Sequence, residues 1–121
     1  MSPSSSAQRL EHMRQAIAAV RRLTQDTSFE TYSADPDLAA AVERYLERLS
    51  EASRHVPDDW KREFPHVDWR GLADLGNVLQ HVYDQVIDEE IWTAVQVDFQ
   101  PLSGAVHILL RRHGHLPRNP S

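Results

Sequence analysis

His81 is the side chain in this sequence best suited to chemistry. It stands in the run Asp68 to Trp92, DWRGLADLGNVLQHVYDQVIDEEIW, the one stretch that groups candidate catalytic groups at defined spacing. An imidazole with a pKa near about 6.5 takes up or releases a proton at neutral pH, which suits a general base. Asp74, Asn77 and Asp84 lie close to it in the chain, and the Tyr83 phenol follows just after.

The spacing is helical. At about 100° per residue, Leu75, Val78, Leu79, Val82 and Val86 form an apolar stripe, while Asp74, Asn77, His81 and Asp84 form a polar one on the far side. The apolar stripe reads as core. The polar stripe is either a working face or a plain solvated one.

The segment LGNVLQHVYDQVIDEEIW also resembles the signature of HepT-like proteins, a branch of the HEPN superfamily, in which an Arg lies about four to six residues before a His-x-Tyr. His81-Val82-Tyr83 matches the second half, Asn77 matches the residue that follows the Arg, and Trp92 falls where the family has a Trp in the next helix. The Arg itself is absent. Gly76 occupies its place, Asp74 the alternative place, and Arg70 is too far upstream.

The resemblance runs from about Leu10 to Leu110. It implies an all-α helical bundle, a homodimer with clefts formed between protomers, and a metal-independent endoribonuclease: a toxin acting on RNA and restrained by a minimal nucleotidyltransferase antitoxin. On that reading His81 activates a ribose 2′-hydroxyl, Asn77 stands beside it, and Tyr83 is the residue to which the transferase adds AMP. An added AMP would set a phosphate where the RNA phosphate must bind and repel it by like charge. The cation that steadies the charged phosphorane is missing at Gly76. An arginine from the partner protomer, or Arg70, is the substitute to look for. An Arg placed at 76 would restore the charge in a helix that favours Arg over Gly by about several tenths of a kcal/mol.

Bulk properties bound the rest. The 121 residues suffice for one domain with one core. A hydrophobic share of 40% and a charged share of 26% are those of a globular chain. No cysteine is present, which removes disulfides, a thiolate nucleophile and a Cys-based zinc site. No stretch reaches the ~20 apolar residues of a membrane span, so a cytoplasmic protein without membrane contact is expected.

The formal net charge of −5 disfavours a generic nucleic-acid binder and makes any RNA contact local. Candidate sources are Arg9, Arg14, Arg21 and Arg22 near the N-terminus, and Arg111, Arg112 and Arg118 with His113 and His115 near the C-terminus. Both clusters also suit the last turn of a helix, where basic groups complement the dipole. The histidines show no His-x3-His or His-Glu-x-x-His pair, so no metal site and no cofactor are expected.

The elements follow in order. Residues 1–6 are polar and expected to be disordered, with a helix starting near Ser6. Leu10, Met13, Ile17, Val20 and Leu23 make that helix amphipathic. Thr27-Ser28-Phe29-Glu30 has capping-box spacing but starts only a short turn. Asp35 then caps and Pro36 opens a second helix with Leu38, Val42, Tyr45, Leu46 and Leu49 inward.

That helix ends in Leu49-Ser50-Glu51-Ala52, similar to the family's Ile-Gly-Glu-Ala. Small residues there let helices approach, and Glu51 is expected to cap or to pair across the bundle. Residues 57–65 form a connector that Trp60 and Phe64 tuck onto the body. Asp68 caps the third helix, which ends somewhere after Tyr83. Ile91, Trp92, Val95, Phe99, Leu102, Val106 and Leu109 carry a last helix across Pro101, where a kink or split is expected.

The sum is an up-and-down four-helix bundle over residues 7–113, followed by a flexible tail at 114–121. Two functions stay open: the HepT-like toxin, and a catalytically silent bundle that pairs with a nucleotidyltransferase or with itself. For a dimer, the third and fourth helices are expected at the interface, with Trp92 as a large apolar contributor.

Overall fold

A computed structural model describes residues 3–79 and 85–114, with side chains for 5–79 and 88–114. All its regular elements are helical, with no strand among the described residues: α1 (Pro3–Thr24), α2 (Phe29–Ala34), α3 (Pro36–Ser53), α4 (Asp58–Lys61), α5 (Trp69–Leu79), α6 (Gln85–Thr93), a π-helical turn (Ala94–Asp98) and α7 (Phe99–His113). α1 packs on α3 and α7, and α3 carries α5 on its other flank. The helical bundle expected from the spacing is the fold observed.

Local signals set most of the boundaries. Ser28 Oγ accepts the Thr31 amide at 3.1 Å and starts α2. Asp35 Oδ1 accepts the amides of Asp37 and Leu38, both at 3.1 Å, and Pro36 follows with its φ already helical. Asp68 Oδ1 takes the Gly71 amide at 2.9 Å and opens α5. Each such cap stabilises its helix by about 1 kcal/mol.

The first helix departs from expectation. It begins at Pro3, before Ser6, and Ser6 is buried rather than part of a loose end. Proline suits a first helical position, and a helix begun there carries Ser6 into the body.

Pro101 does not split the last helix into two. Its ring removes one backbone donor, and the mismatch is absorbed just upstream, where the Phe99 amide reaches back to the Ala94 carbonyl in a π turn. α6, the π turn and α7 therefore run on as one long element.

The core is built from Leu10, Met13, Ile17 and Val20 of α1, Val42, Leu46 and Leu49 of α3, and Ile91, Val95, Phe99, Leu102, Val106 and Leu109 of the long helix. Each large side chain so buried contributes about 1.5–3 kcal/mol. Trp60 and Phe64 are buried and fasten the connector, with the Trp60 ring stacked on His113 at 3.9 Å.

Two apolar assignments change. Val78, placed in the inner stripe by periodicity, is 39% exposed. Trp92, expected at an interface, packs within the chain with its ring 5.5 Å from Tyr32 and 6.2 Å from Phe29, and it stays partly exposed. α2 supplies this partner, an element too short for periodicity to place in space.

The basic residues also divide. Arg21 binds Ser103 Oγ at 3.2 Å and knits α1 to α7, Arg14 pairs with Glu11, and Arg112 pairs with Glu63. These three are structural or locally neutralised.

Candidate functional site

The outer face of α5 carries the first part of the predicted polar stripe. Asp74 and Asn77 are both exposed there. His81 and Tyr83, like Asp84 and the expected end of the third helix, lie outside the described residues. The structure thus places Asn77 and the backbone leading to His81.

At Gly76 the helices α3 and α5 come into close contact. Ser50 Oγ donates to the Ala73 carbonyl at 3.0 Å and accepts the Gly76 amide at 3.1 Å. A Cβ at position 76 would stand 3.2 Å from Ser50 Oγ, tighter than an ordinary contact. The small residues do allow the close approach expected of them. The same contact means that position 76 is not an open place for a long side chain, so helix propensity alone does not decide how an Arg would fare there.

A cation nevertheless reaches this place from another element. Arg54, one turn after Ser50 at the end of α3, donates to the Ala73 carbonyl through Nε at 3.1 Å and Nη2 at 2.7 Å. Its Nη2 lies 3.8 Å from the position of a Cβ on Gly76. The side chain remains 42% exposed, so its charge faces solvent beside Asn77's helix face. Arg70, considered from the sequence, is exposed and is not the arginine at Gly76.

Arg54 was not singled out by the sequence pattern. The signal it left is its spacing of one helical turn from Ser50, which puts both on one face of α3.

Glu51 makes its close contacts within its own segment, while the charge of Arg9 on α1 acts on it from across the helix pair. It accepts from His55 Nε2 at 3.1 Å and lies 3.7 Å from Arg54 Nη1, both on its own helix segment. The hydrogen bond from His55, helped by the charges of Arg54 and Arg9, holds the Glu51 carboxyl below its usual range. Glu51 thereby tempers the Arg54 charge without cancelling it, since both are largely solvated. Among the described residues, no three His, Asp or Glu side chains converge as a metal-binding group. Nor is any helix there long and apolar enough to cross a membrane.

Comparisons with known proteins show the family. No solved structure matches. A Thermococcus cleftensis protein named probable ribonuclease HepT is 35% identical over 95 residues, covering 78% of this chain and 86% of that protein. Two Methanocaldococcus jannaschii proteins, the candidate RNases MJ0127 and MJ1380, are 35% and 30% identical, covering 71% and 74% of this chain and 68% and 83% of their own lengths. The family model described as ribonuclease HepT-like matches residues 13–108, from the middle of α1 into α7, and on that span the chain belongs to the HepT-like ribonuclease family.

Proposed function

We propose that this protein is a metal-independent endoribonuclease whose phosphate-steadying cation is Arg54. The observation that carries the reading is the Arg54 guanidinium held beside Gly76, on the helix that leads to His81. In this reading His81 takes the proton of a ribose 2′-hydroxyl, and the 2′-oxygen bonds to the adjacent phosphorus. The bond from phosphorus to the 5′-oxygen breaks, leaving a 2′,3′-cyclic phosphate. The departing 5′-oxygen takes a proton from the imidazolium, which restores the base. Arg54 offers its free N–H groups to the charged phosphorane, and Asn77 positions the strand.

The resemblance extends the proposal to a toxin paired with a nucleotidyltransferase antitoxin. The Tyr83 phenol oxygen would attack the α-phosphorus of ATP, releasing pyrophosphate and leaving AMP on the tyrosine. The exposed Val78, on α5, supports a homodimer through this face of the bundle, as the family's shared clefts imply.

A second reading rests on Gly76 itself. Its backbone is engaged with Ser50, which suits a bundle kept for packing and partner binding alone. One experiment separates the two: RNA cleavage by the purified protein, with and without chelator, beside His81→Ala. The nuclease reading expects cleavage that survives chelation and disappears in the alanine variant. Absence of cleavage by the unaltered chain leaves the binding role.

A further inference from the structure

The charged groups of α1 and α3 that the proposed chemistry does not use meet in a groove between those helices. Its volume is about 640 Å³, and Arg9, Arg44 and Arg48 line it together with His12 and Tyr45. None of the three arginines has an ion-pair partner among the described residues, whereas Arg14, Arg54 and Arg112 each have one. Three guanidiniums in a concavity lined by two carboxylates leave an excess of positive charge that an anionic ligand complements.

The geometry points to a binding site for the phosphodiester backbone of single-stranded RNA in this α1–α3 groove. The inference rests on the ribonuclease reading for its substrate, and it adds where the strand is held away from the cleavage point. Guanidinium forks match phosphate oxygens in pairs. Tyr45 stands among them with Arg48 5.4 Å from its ring centroid, an aromatic and cationic pair of the kind on which unpaired bases stack.

Glu47 and Glu51 also line the groove. Three arginines against two glutamates leave a local charge of +1 on a chain whose net charge is −5. That balance suits a short single strand and not the denser charge of a duplex. Glu51, one of the groove's lining residues, lies 3.7 Å from Arg54 Nη1, which brings the groove's wall next to the residue that carries the cation beside Gly76.

The test uses a fluorescent, fully 2′-O-methylated oligonucleotide of about ten nucleotides, which binds like RNA but lacks the attacking hydroxyl. Anisotropy titrations at several salt concentrations compare the unaltered chain, the Arg44→Ala/Arg48→Ala double variant and the control Arg62→Ala, an exposed connector arginine outside the groove. The double variant is expected to bind at least tenfold more weakly, and its log–log salt slope to fall in magnitude by about 1.4, the loss of two phosphate contacts. The control is expected to match the parent.

Failure of the unaltered chain to bind, or equal affinity and slope in the folded double variant, overturns the proposal. Equal competition by a polyglutamate peptide of the same charge also overturns it, in favour of an acidic protein segment. Because the probe cannot be cleaved, binding lost with the arginines but without any RNA cleavage rejects the nuclease reading alone. Cleavage of ordinary RNA that is unchanged in the double variant rejects the groove alone.

Discussion

The Gly76 amide donates to Ser50 Oγ at 3.1 Å, which joins α5 to α3 at the position where the family signature carries an arginine. That bond makes residue 76 part of a helix contact. Its occupant is chosen jointly with residue 50. Gly76→Arg alone is therefore expected to lower stability by about 1–3 kcal/mol through overpacking against Ser50, despite its better helix propensity. Adding Ser50→Gly should recover most of that loss. Urea denaturation of the parent, both single variants and the double variant measures the coupling, and additive effects would show that the two positions do not share one space.

Arg54→Ala is expected to reduce RNA cleavage by about a hundredfold, the scale of losing one charged donor to a developing oxyanion. Arg54→Lys should recover part of it, because the charge returns without the fork. Stability should fall by no more than about 1 kcal/mol, since Ser50 still donates to the Ala73 carbonyl. A rate loss that merely tracks unfolding, read by circular dichroism at the assay temperature, would assign Arg54 a packing role only.

Tyr32 is fully buried, and its hydroxyl has no hydrogen-bond partner among the described residues. Burial, reinforced by the carboxylates of Asp88 and Glu43, pushes its pKa well up. An unsatisfied buried hydroxyl costs about 1–3 kcal/mol. Tyr32→Phe should accordingly stabilise the fold by about 1 kcal/mol, seen as a higher urea midpoint at unchanged slope. A lower midpoint would reveal a partner for the hydroxyl.

Burial, together with the charges of Asp88 and Glu47, raises the Glu43 pKa above its ordinary 4.5. Folding thus favours the protonated form. The stabilisation this provides is fully present below the unfolded value and is lost as pH rises through the folded one. Glu43→Gln should be more stable than the parent at pH 7, with the gap closing toward about pH 4. Melting temperatures measured across that range check it, and a gap that widens in acid would contradict the assignment.

Much of this protein was determined by sequence alone, for a local reason. Caps act within one turn, so Ser28, Asp35 and Asp68 mark their helix starts wherever the helices end up. Apolar periodicity placed the inward faces of α1, α3 and the long helix, because burial of one stripe is what holds any bundle together. The family signature around His81 was legible as well, being a matter of order and spacing.

Contacts between elements distant in the chain were decided only by the tertiary structure. Trp92 is claimed by α2, and Val78 is left exposed although its spacing reads as core. Pro101 is accommodated by a π turn just upstream, and the helix is packed on both sides of it, through Val95 and Phe99 before and Leu102 and Val106 after. Arg54 reaches Gly76 from α3, and Arg9 meets Arg44 and Arg48 across the α1–α3 groove. A one-dimensional pattern records which face a residue occupies on its own helix. Which neighbour that face meets depends on how the helices are stacked, and that was set by the shared core of α1, α3 and α7.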